Sequence, residues 1–282
     1  MTISLSPGAI GVKATQEQAI EFAHYYGFEA VEPYGEAMAA MAPAQVKELA
    51  AGVRAKRLQW GSAGLTVEYR KDQATFEAGM AKFPAVAKAL ATAGVTRVST
   101  WLMPASEELT YLQNMRQHAA RLRAIAQVCK DNGQRFGLEY VGPKTLWTSR
   151  RYPFIHTMAE AKDLIAEIGT GNVGFVLDSW HWQMAGEGAA ELKTLRNEDI
   201  VSIDLNDAPA GVPADQQIDS KRELPLATGV LDVKTFLNTL AGLGCDAPAR
   251  CEPFNAALRA LPPEQALAKV ADAMKRAMAL IA

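Results

Sequence analysis

Four acidic residues each follow a short, largely apolar run in the second half of the chain. The runs and their acids read Phe-Gly-Leu-Glu139, Phe-Val-Leu-Asp178, Val-Ser-Ile-Asp204 and Ala-Arg-Cys-Glu252. An unpaired carboxylate is costly to bury, so acids in such places need partners. If the runs are neighbouring strands, the four acids meet and repel one another unless a cation lies between them. A divalent metal is the simplest such cation, and a set of carboxylates favours Mg²⁺ or Mn²⁺ over Zn²⁺.

These acids require a scaffold, and hydrophobic periodicity predicts one, because short apolar runs alternate with longer amphipathic stretches along the chain. Strands are predicted at Thr2–Leu5, Ala30–Pro33, Leu58–Ala63, Arg97–Trp101, Phe136–Tyr140, Gly174–Asp178, Val201–Leu205 and Ala249–Pro253. Helices are predicted at Gln16–Tyr26, Pro43–Lys56, Gln73–Ala93, Glu107–Asn132, Met158–Ile168, Gly188–Arg196, Val233–Gly242 and Pro263–Ile281.

This alternation predicts an α/β protein with a single (β/α)8 TIM barrel over residues 1–282. The strands are apolar runs rather than alternating patterns, which is typical of a parallel sheet covered by helices. Eight βα units in 282 residues are close to the usual size of such a barrel. An open doubly wound sheet is the alternative, but Pro7–Gly11 after the first strand lacks its glycine-rich phosphate loop. No linker or change in composition divides the chain.

In a barrel, the C-terminal ends of the strands face the active site, and this adds further candidate residues. Glu32 ends the second predicted strand, and Trp101 ends the fourth. His181 lies three residues beyond Asp178, where it could ligate a metal, bond a substrate hydroxyl or move a proton. An aromatic face such as that of Trp101 suits the apolar face of a sugar.

Two loops at the same face, residues 141–156 and 207–231, are longer than barrel closure requires. Long loops at this face usually shape the substrate pocket. They carry Lys144 and Arg222, whose cations could hold substrate hydroxyls, a carboxylate or a phosphate. A solvated loop charge is the alternative for each. We therefore expect Arg222, Glu32, Trp101 and Lys144 to bind substrate.

Composition excludes several classes of protein. The chain has 29 Lys and Arg against 31 Asp and Glu, a net charge of −2, which provides no electrostatic footprint for nucleic acid or an anionic membrane. Cys129, Cys245 and Cys251 fit neither a disulfide framework nor a zinc motif, which indicates a reducing compartment. The N-terminus has no secretory pattern, and no apolar run is long enough for a membrane helix. We therefore expect a cytoplasmic protein without nucleic-acid or membrane partners.

Several motifs resemble the sugar phosphate isomerase/epimerase family, whose members have a xylose isomerase-like TIM barrel. They are Gly137-Leu138-Glu139-Tyr140, Leu177-Asp178-Ser179-Trp180-His181, Asp204-Leu205-Asn206-Asp207-Ala208 and Cys251-Glu252-Pro253-Phe254. The stretch Arg222-Glu223-Leu224-Pro225, leading to Gly229-Val230-Leu231-Asp232, is similar to the family's loop before its last helix. The resemblance covers nearly the whole chain. It is weak for a particular substrate, because the family spans epimerases, isomerases, dehydratases and related lyases.

The resemblance implies one divalent ion held by residues of strands five to eight, with ligands at Glu139, Asp178 and Glu252. The strand-seven ligand is usually histidine, and the matching residue here is Asp204. This aspartate either replaces the imidazole as an oxygen ligand or leaves a looser site or none. His181 matches a histidine that contacts substrate or metal, and Arg222 matches a loop arginine that grips substrate.

The function that the resemblance implies is a divalent-metal-dependent isomerase or epimerase of a ketose, keto-cyclitol or related sugar. A proton next to the carbonyl would be abstracted through a metal-stabilised enediolate, with Glu139, Glu252 and His181 as the catalytic residues. Mn²⁺ or Mg²⁺ is the favoured ion, and Zn²⁺ or Co²⁺ are alternatives. The expected partner is a small sugar or cyclitol. Homo-oligomers are common in such enzymes, although no exposed apolar stripe indicates an interface.

Three other functions remain open at this point. A keto-sugar dehydratase or β-eliminating lyase would use the same metal site. A sugar-binding barrel without turnover would be consistent with Asp204 in place of histidine. An apurinic endonuclease would need a histidine-rich cluster of several zinc ions and a basic face, and four histidines with a net charge of −2 argue against it.

Overall fold

The computed structural model describes all 282 residues. Strands alternate with helices along the chain and are joined by loops. The strands are β1 (Thr2–Leu5), β2 (Ala30–Val31), β3 (Gln59–Trp60), β4 (Ala63–Gly64), β5 (Arg97–Trp101), β6 (Ala105–Ser106), β7 (Arg135–Glu139), β8 (Tyr152–Pro153), β9 (Val173–Asp178), β10 (Ile200–Leu205) and β11 (Pro248–Cys251). The helices are α1 (Gln16–Tyr26), α2 (Gly35–Ala39), α3 (Pro43–Ala55), α4 (Gln73–Ala93), α5 (Tyr111–Asp131), α6 (Lys144–Trp147), α7 (Met158–Ile168), α8 (Ser179–Met184), α9 (Ala189–Leu192), α10 (Val233–Gly242), α11 (Ala256–Arg259) and α12 (Pro263–Met278).

Nine strands form one parallel sheet in the order β3-β2-β1-β11-β10-β9-β7-β5-β4. The strands at its two ends, β3 and β4, are separated in the chain only by Gly61 and Ser62. So short a link reaches at most about 11 Å, so β3 and β4 are two parts of one interrupted strand and the sheet curls back on itself. The eight resulting strand positions, with helices between them, confirm the predicted TIM barrel.

Local chemistry places several helix ends where the sequence predicts them. The Thr15 hydroxyl accepts from the amide of Gln18 at the start of α1, and Thr157 caps α7 through the amide of Glu160 in the same way. Both are capping boxes, in which side chains satisfy amides that have no partner within the helix. Gly27 ends α1 in the left-handed region, with φ of 74°, a conformation that glycine adopts without steric cost.

The structure also contains short elements that periodicity did not predict. Helices α2, α6, α8 and α11 have four to six residues each, about one turn, which is too short for a 3.6-residue repeat to be recognised. Strands β6 and β8 pair antiparallel and connect the loops that follow β5 and β7. The helix predicted from Glu107 begins at Tyr111, directly after Thr110, whose amide and hydroxyl both donate to Gln113 Oε1.

One hydrophobic cluster of 66 buried residues extends from Ile3 to Ala277, so the two ends of the chain share a core. The interior of the barrel differs from this apolar layer. A small chamber inside it is lined by Ser4, Ser6, Ser62, Ser99, Ser202, Glu32, Pro248 and Arg250. Branched apolar side chains usually fill this space in TIM barrels, so the floor beneath the strand ends is unusually polar here. None of the helices has the length and apolar character needed to cross a lipid bilayer.

Candidate active site

The four acids predicted to converge lie together at the C-terminal ends of neighbouring strands. Glu139 ends β7, Asp178 ends β9, Asp204 lies near the end of β10 and Glu252 directly follows β11. One carboxylate oxygen from each can be chosen so that all four oxygens lie within 4.8 Å of one another. This spacing allows the four side chains to contact one small cation.

Asp178 is held by more hydrogen bonds than any other acid of the cluster. Its Oδ1 accepts from the amides of Trp180, at 2.6 Å, and His181, at 3.3 Å, so the carboxylate also caps α8. The side-chain amide of Asn206 donates to both oxygens, at 3.0 and 2.9 Å. Arg222 Nη1 donates to Oδ2 at 2.7 Å. These donors fix the carboxylate and support its negative charge in a buried site.

Arg222 comes from the loop after β10 and reaches into the site with only 2% of its surface exposed. Its Nη2 contacts Asp219 Oδ1 at 2.5 Å and His181 Nε2 at 3.1 Å. The rings of Trp180 and Phe254 lie 5.5 and 4.7 Å from its guanidinium carbon. Burial by itself would lower the pKa of Arg222, but Asp178 and Asp219 raise it above its ordinary value. The guanidinium is therefore a permanent charge whose position is fixed by acids.

Asp207 holds the loop that delivers Arg222. Its Oδ1 accepts from the amides of Ala208 and Leu231, at 2.8 and 3.0 Å. Its Oδ2 accepts from the amides of Thr228 and Gly229, at 2.8 and 2.7 Å. One buried carboxylate thus joins the beginning of the 207–231 loop to its end.

We expect Asp207→Ala to lower the free energy of unfolding by about 3 kcal/mol, because four backbone amides lose a charged acceptor. Chemical denaturation measures this loss, and limited proteolysis should show faster cleavage within residues 207–231. Asp232→Ala is the matched control. It removes one helix-capping aspartate whose side chain accepts from the amide of Thr235, and should cost about 1 kcal/mol. Equal losses in the two variants would contradict this role for Asp207.

Arg250 is a second, partly buried cation beside the acids, and it pairs with Asp204 in register across β10 and β11. Its Nε and Nη2 contact the two oxygens of Asp204 at 2.7 and 2.9 Å. Nη2 also contacts Glu252 Oε1 at 2.9 Å. Burial by itself would lower the pKa of Arg250, but Asp204 and Glu252 raise it well above its ordinary value.

His181 lies in the first turn of α8 and is 2% exposed. Its Nδ1 receives the amide of Gly142 at 3.3 Å, and its Nε2 lies 3.6 Å from Glu139 Oε1. Burial and the charge of Arg222 lower the pKa of His181 to about 3. The imidazole is therefore neutral at physiological pH and can donate or accept a hydrogen bond without changing the charge of the site.

Glu139 and Glu252 are the acids whose ionisation is most disfavoured. Burial, and then the charges of Glu252 and Asp204, raise the pKa of Glu139 well above its ordinary value. Burial raises the pKa of Glu252 to about 7, and Asp204 adds to the effect while Arg250 opposes it. Glu139 Oε1 is buried and has no hydrogen-bond partner. Without a further cation, the cluster thus favours retaining a proton near neutral pH.

The charge balance of the cluster fits a divalent cation. The four carboxylates of the cluster and that of Asp219 share only the guanidiniums of Arg222 and Arg250, which leaves an excess of negative charge. The donors include the partnerless oxygen of Glu139, and hard carboxylate oxygens are the ligands that Mg²⁺ and Mn²⁺ prefer. His181, in a second group with Glu139 and Asp178, adds a nitrogen donor.

A cavity of about 480 Å³ opens directly beside these charges. This volume is within the range of small-molecule sites. Its polar side includes neutral His181 and the charged Glu139, Glu252, Arg222 and Arg250, and its apolar side includes Leu65, Trp101, Met103, Val141 and Phe254. Such a lining suits a small molecule with hydroxyls on one face and C–H groups on the other.

The residues predicted to bind substrate are distributed unevenly around this cavity. Arg222 and Trp101 line it, and the guanidinium of Arg70 stacks 4.4 Å from the Trp101 ring. Glu32 lies in the chamber below and accepts a short hydrogen bond from Ser6. Lys144 is outside the lining and pairs with Asp215 at 3.6 Å, a contact between the two long loops.

Sequence reasoning did not single out Arg250, Asp219, Asn206, Asp207 or Arg70 as parts of the site. Arg250 could have been found, because it precedes Glu252 by two residues, and residues two apart on a strand lie on the same face. Asn206 and Asp207 belong to a motif that was noticed, but their contacts depend on neighbouring loops. Nothing in the local sequence marks Asp219 or Arg70.

Comparison with known proteins places this site in context. Residues 20–277 match the family model described as xylose isomerase-like TIM barrel. A xylose isomerase domain protein from Alicyclobacillus acidocaldarius has a similar structure, with a TM-score of 0.86 and 27% identity over 99% of both chains. The IolI protein, solved with a bound zinc atom, gives a TM-score of 0.80 at 17% identity over 99% of this chain and 98% of that one.

Among curated proteins, an inosose isomerase from Bacillus velezensis is 22% identical over 187 residues, which covers 65% of this chain and 62% of that protein. The match thus spans about three fifths of the length of that relative. The family model extends over far more than half of the chain and includes the strands that carry all four clustered acids. The chain therefore belongs to the xylose isomerase-like TIM barrel family.

Proposed function

We propose that the chain is a divalent-metal-dependent isomerase or epimerase of a ketose or keto-cyclitol. The observation that carries this proposal is the cluster of four acids beside a cavity with one charged and one apolar side. The similarity to an inosose isomerase supports a keto-cyclitol, since an inosose is one. The structural neighbour with a zinc atom supports a divalent ion at this kind of site.

Glu139, Asp178 and Glu252 are the ligands that we propose for the ion, and Mn²⁺ or Mg²⁺ suits their oxygens best. Bound there, the ion would act as a Lewis acid towards a carbonyl. Asp204 belongs to the same cluster, and the sequence predicts it as a fourth ligand. We leave it out of the proposed set because both of its oxygens contact Arg250.

Glu139 and Glu252 are the residues that we propose to move the proton. Both line the cavity, and in the metal-free cluster burial raises the pKa of each carboxyl above its ordinary value, so each is able to hold a proton beside a bound substrate. Neutral His181, 3.6 Å from Glu139, can hydrogen-bond a substrate hydroxyl without adding charge. Trp101 is proposed to bind the apolar face of the substrate. Arg222 lines the cavity, but all three of its guanidinium nitrogens already donate within the protein, so its contact with substrate stays a prediction, as do those of Glu32 and Lys144, which lie further away.

The same proton abstraction has three outcomes. Return of the proton to the opposite face of the carbon gives an epimer, and transfer to the neighbouring carbon gives an isomer. Loss of a β-hydroxyl would instead give the dehydratase or lyase product. Exchange of the hydrogen on the carbon next to the carbonyl is common to all three outcomes. It therefore reports the reaction better than the appearance of any one product.

The experiment is proton exchange in D₂O, followed by ¹H NMR, with an inosose and a set of ketoses as substrates. Protein stripped of metal and then given Mn²⁺ or Mg²⁺ should remove the signal of the hydrogen next to the carbonyl. Protein kept in chelator should not. Mass spectrometry separates an isomer, which keeps its mass apart from deuterium, from an elimination product, which has lost water. No exchange with any substrate after Mn²⁺ addition would contradict the proposal.

Metal-free protein should lose stability as the pH rises, and Mn²⁺ should restore it. The pKa of Glu252 rises from 4.5 in the unfolded chain to about 7 in the fold. The contribution of its protonated form to the free energy of unfolding is therefore fully present below pH 4.5 and is lost as the pH rises through 7. That loss is at most about 3 kcal/mol. Mn²⁺ supplies the missing positive charge, so it should raise the melting temperature more at pH 8 than at pH 5. Thermal denaturation at both pH values checks this, and an equal or reversed difference would be inconsistent with ligation by these acids.

A further inference from the structure

The contacts of Arg250 are those of a fixed cation rather than of a mobile surface residue. Its Nε and Nη2 engage both oxygens of Asp204, and Nη2 also engages Glu252. Asp204 is fully buried, with 0% of its surface exposed, and the two residues lie side by side in register on β10 and β11. A two-point pair between a guanidinium and a carboxylate fixes the plane of the guanidinium as well as its distance.

The same contacts leave Asp204 poorly placed to hold a metal ion. Each of its oxygens already accepts from a nitrogen of Arg250, and an arginine stays protonated in proteins. Asp204 and Arg250 together form a neutral pair, unlike Glu139, whose Oε1 has no hydrogen-bond partner. Asp178 accepts more hydrogen bonds, but only its Oδ2 contacts a cation, Arg222, whereas one cation contacts both oxygens of Asp204.

Arg250 nevertheless faces a ligand site. Its side chain is 29% exposed, and it lines both the 480 Å³ cavity and the serine-lined chamber below. Its third guanidinium nitrogen, Nη1, makes no hydrogen bond to the protein, whereas Nε and Nη2 make three. A donor on a fixed cation, beside the acids proposed to move a proton, is suited to an oxygen that gains negative charge.

We propose that Asp204 positions Arg250 instead of ligating the metal, and that Arg250 is a catalytic residue that hydrogen-bonds the substrate oxygen on which negative charge develops. The inference rests on the proposed function. When the proton next to the carbonyl passes to Glu139, the C–H electron pair forms a carbon–carbon double bond and the carbonyl π pair moves to oxygen. Arg250 donates a hydrogen bond to that oxygen and transfers no proton, and the return of the proton reverses the electron movement.

The test separates metal binding from turnover in folded variants. Equilibrium dialysis measures Mn²⁺ affinity, and exchange of an inosose in D₂O measures kcat and KM. Asp204→Asn should weaken Mn²⁺ binding by less than about tenfold, whereas Asp178→Asn, the matched control, should weaken it by more than about 100-fold. Arg250→Met should lower kcat by about 100- to 1,000-fold, the usual effect of removing an oxyanion donor. Its Mn²⁺ affinity should stay equal or rise, because a neighbouring positive charge is gone.

A second pair of variants distinguishes the loss of a catalytic group from damage to the fold. Arg250→Lys keeps the charge and should recover part of kcat, and added guanidinium ion should partly rescue Arg250→Ala. A purely structural arginine would give neither recovery. Loss of Mn²⁺ affinity in Asp204→Asn equal to that in Asp178→Asn would overturn the inference and leave the proposed function intact, as would an unchanged kcat in Arg250→Met. A wild-type protein that neither binds Mn²⁺ nor exchanges any substrate would overturn both.

Discussion

Replacing Glu139 by glutamine should lower the rate of proton exchange next to the substrate carbonyl by about 1,000-fold or more, within the range lost with a general base. The substitution keeps the shape of the side chain and removes its ability to take a proton. Because burial and three neighbouring acids already disfavour the charge of Glu139, the neutral amide should leave the fold as stable as before or more stable. The variant should therefore melt no earlier than the wild type in the absence of metal.

Glu187→Gln is the matched control for this substitution. Glu187 is partly buried, its Oε1 accepts from the amide of Met158, which glutamine can keep, and its Oε2 accepts from the hydroxyl of Tyr140. It does not line the cavity, so exchange should stay close to the wild-type rate. Glu252→Gln should lower the exchange rate as Glu139→Gln does, since the two glutamates are the proposed base and acid. Exchange rates within tenfold of wild type in both cavity variants would remove them from the chemistry.

The fold could be predicted largely from local patterns. The apolar stripe of α4, with Phe76, Phe83, Val86 and Leu90 buried, is visible as spacings of three and four. The capping residues Thr15 and Thr157 marked two helix starts. What the patterns did not predict is the break of the third barrel strand into β3 and β4, because that depends on the curvature needed to close the sheet.

The acids of the site could also be predicted, because the ends of parallel strands meet at one edge whatever the loops do. The partners of those acids could not. Asp219 and Arg222 lie on a long loop whose course is set by Asp207, a contact between residues up to 24 positions apart in the chain. The pairing of Asp204 with Arg250 depends on the register of β10 against β11, which neither strand specifies alone.

The polar floor of the barrel is a further property that the hydrophobic periodicity of the sequence did not predict. Ser4 and Ser202 each lie between apolar residues of their strands, and Ser99 lies between Val98 and Thr100, so the sequence around each serine does not indicate a shared chamber. In the closed barrel they surround one chamber beside Arg250. Only closure of the sheet brings them together, so the polarity of the site extends below the acids.

Arg222→Met should be strongly destabilising, with a loss of about 4 kcal/mol in the free energy of unfolding of metal-free protein. Asp178, which is 1% exposed, would then lack its only cationic partner, and Asp219 would lose its strongest contact. The hydrogen bonds from Asn206 and two amides would remain, so the fold should survive. Urea unfolding without Mn²⁺ measures the loss of free energy of unfolding, and unfolding with Mn²⁺ measures how much of that loss the ion restores.

Mn²⁺ should stabilise Arg222→Met more than it stabilises the wild type, because the ion would replace part of the missing positive charge at Asp178. Arg121→Met is the matched control. Arg121 is also buried, but it donates to the carbonyls of Tyr69 and Lys71 rather than to acids. Its loss should destabilise the protein without changing the increment from Mn²⁺. Equal increments in all three proteins would mean that the ion and Arg222 do not share Asp178, and the proposed ligand set would have to exclude that residue.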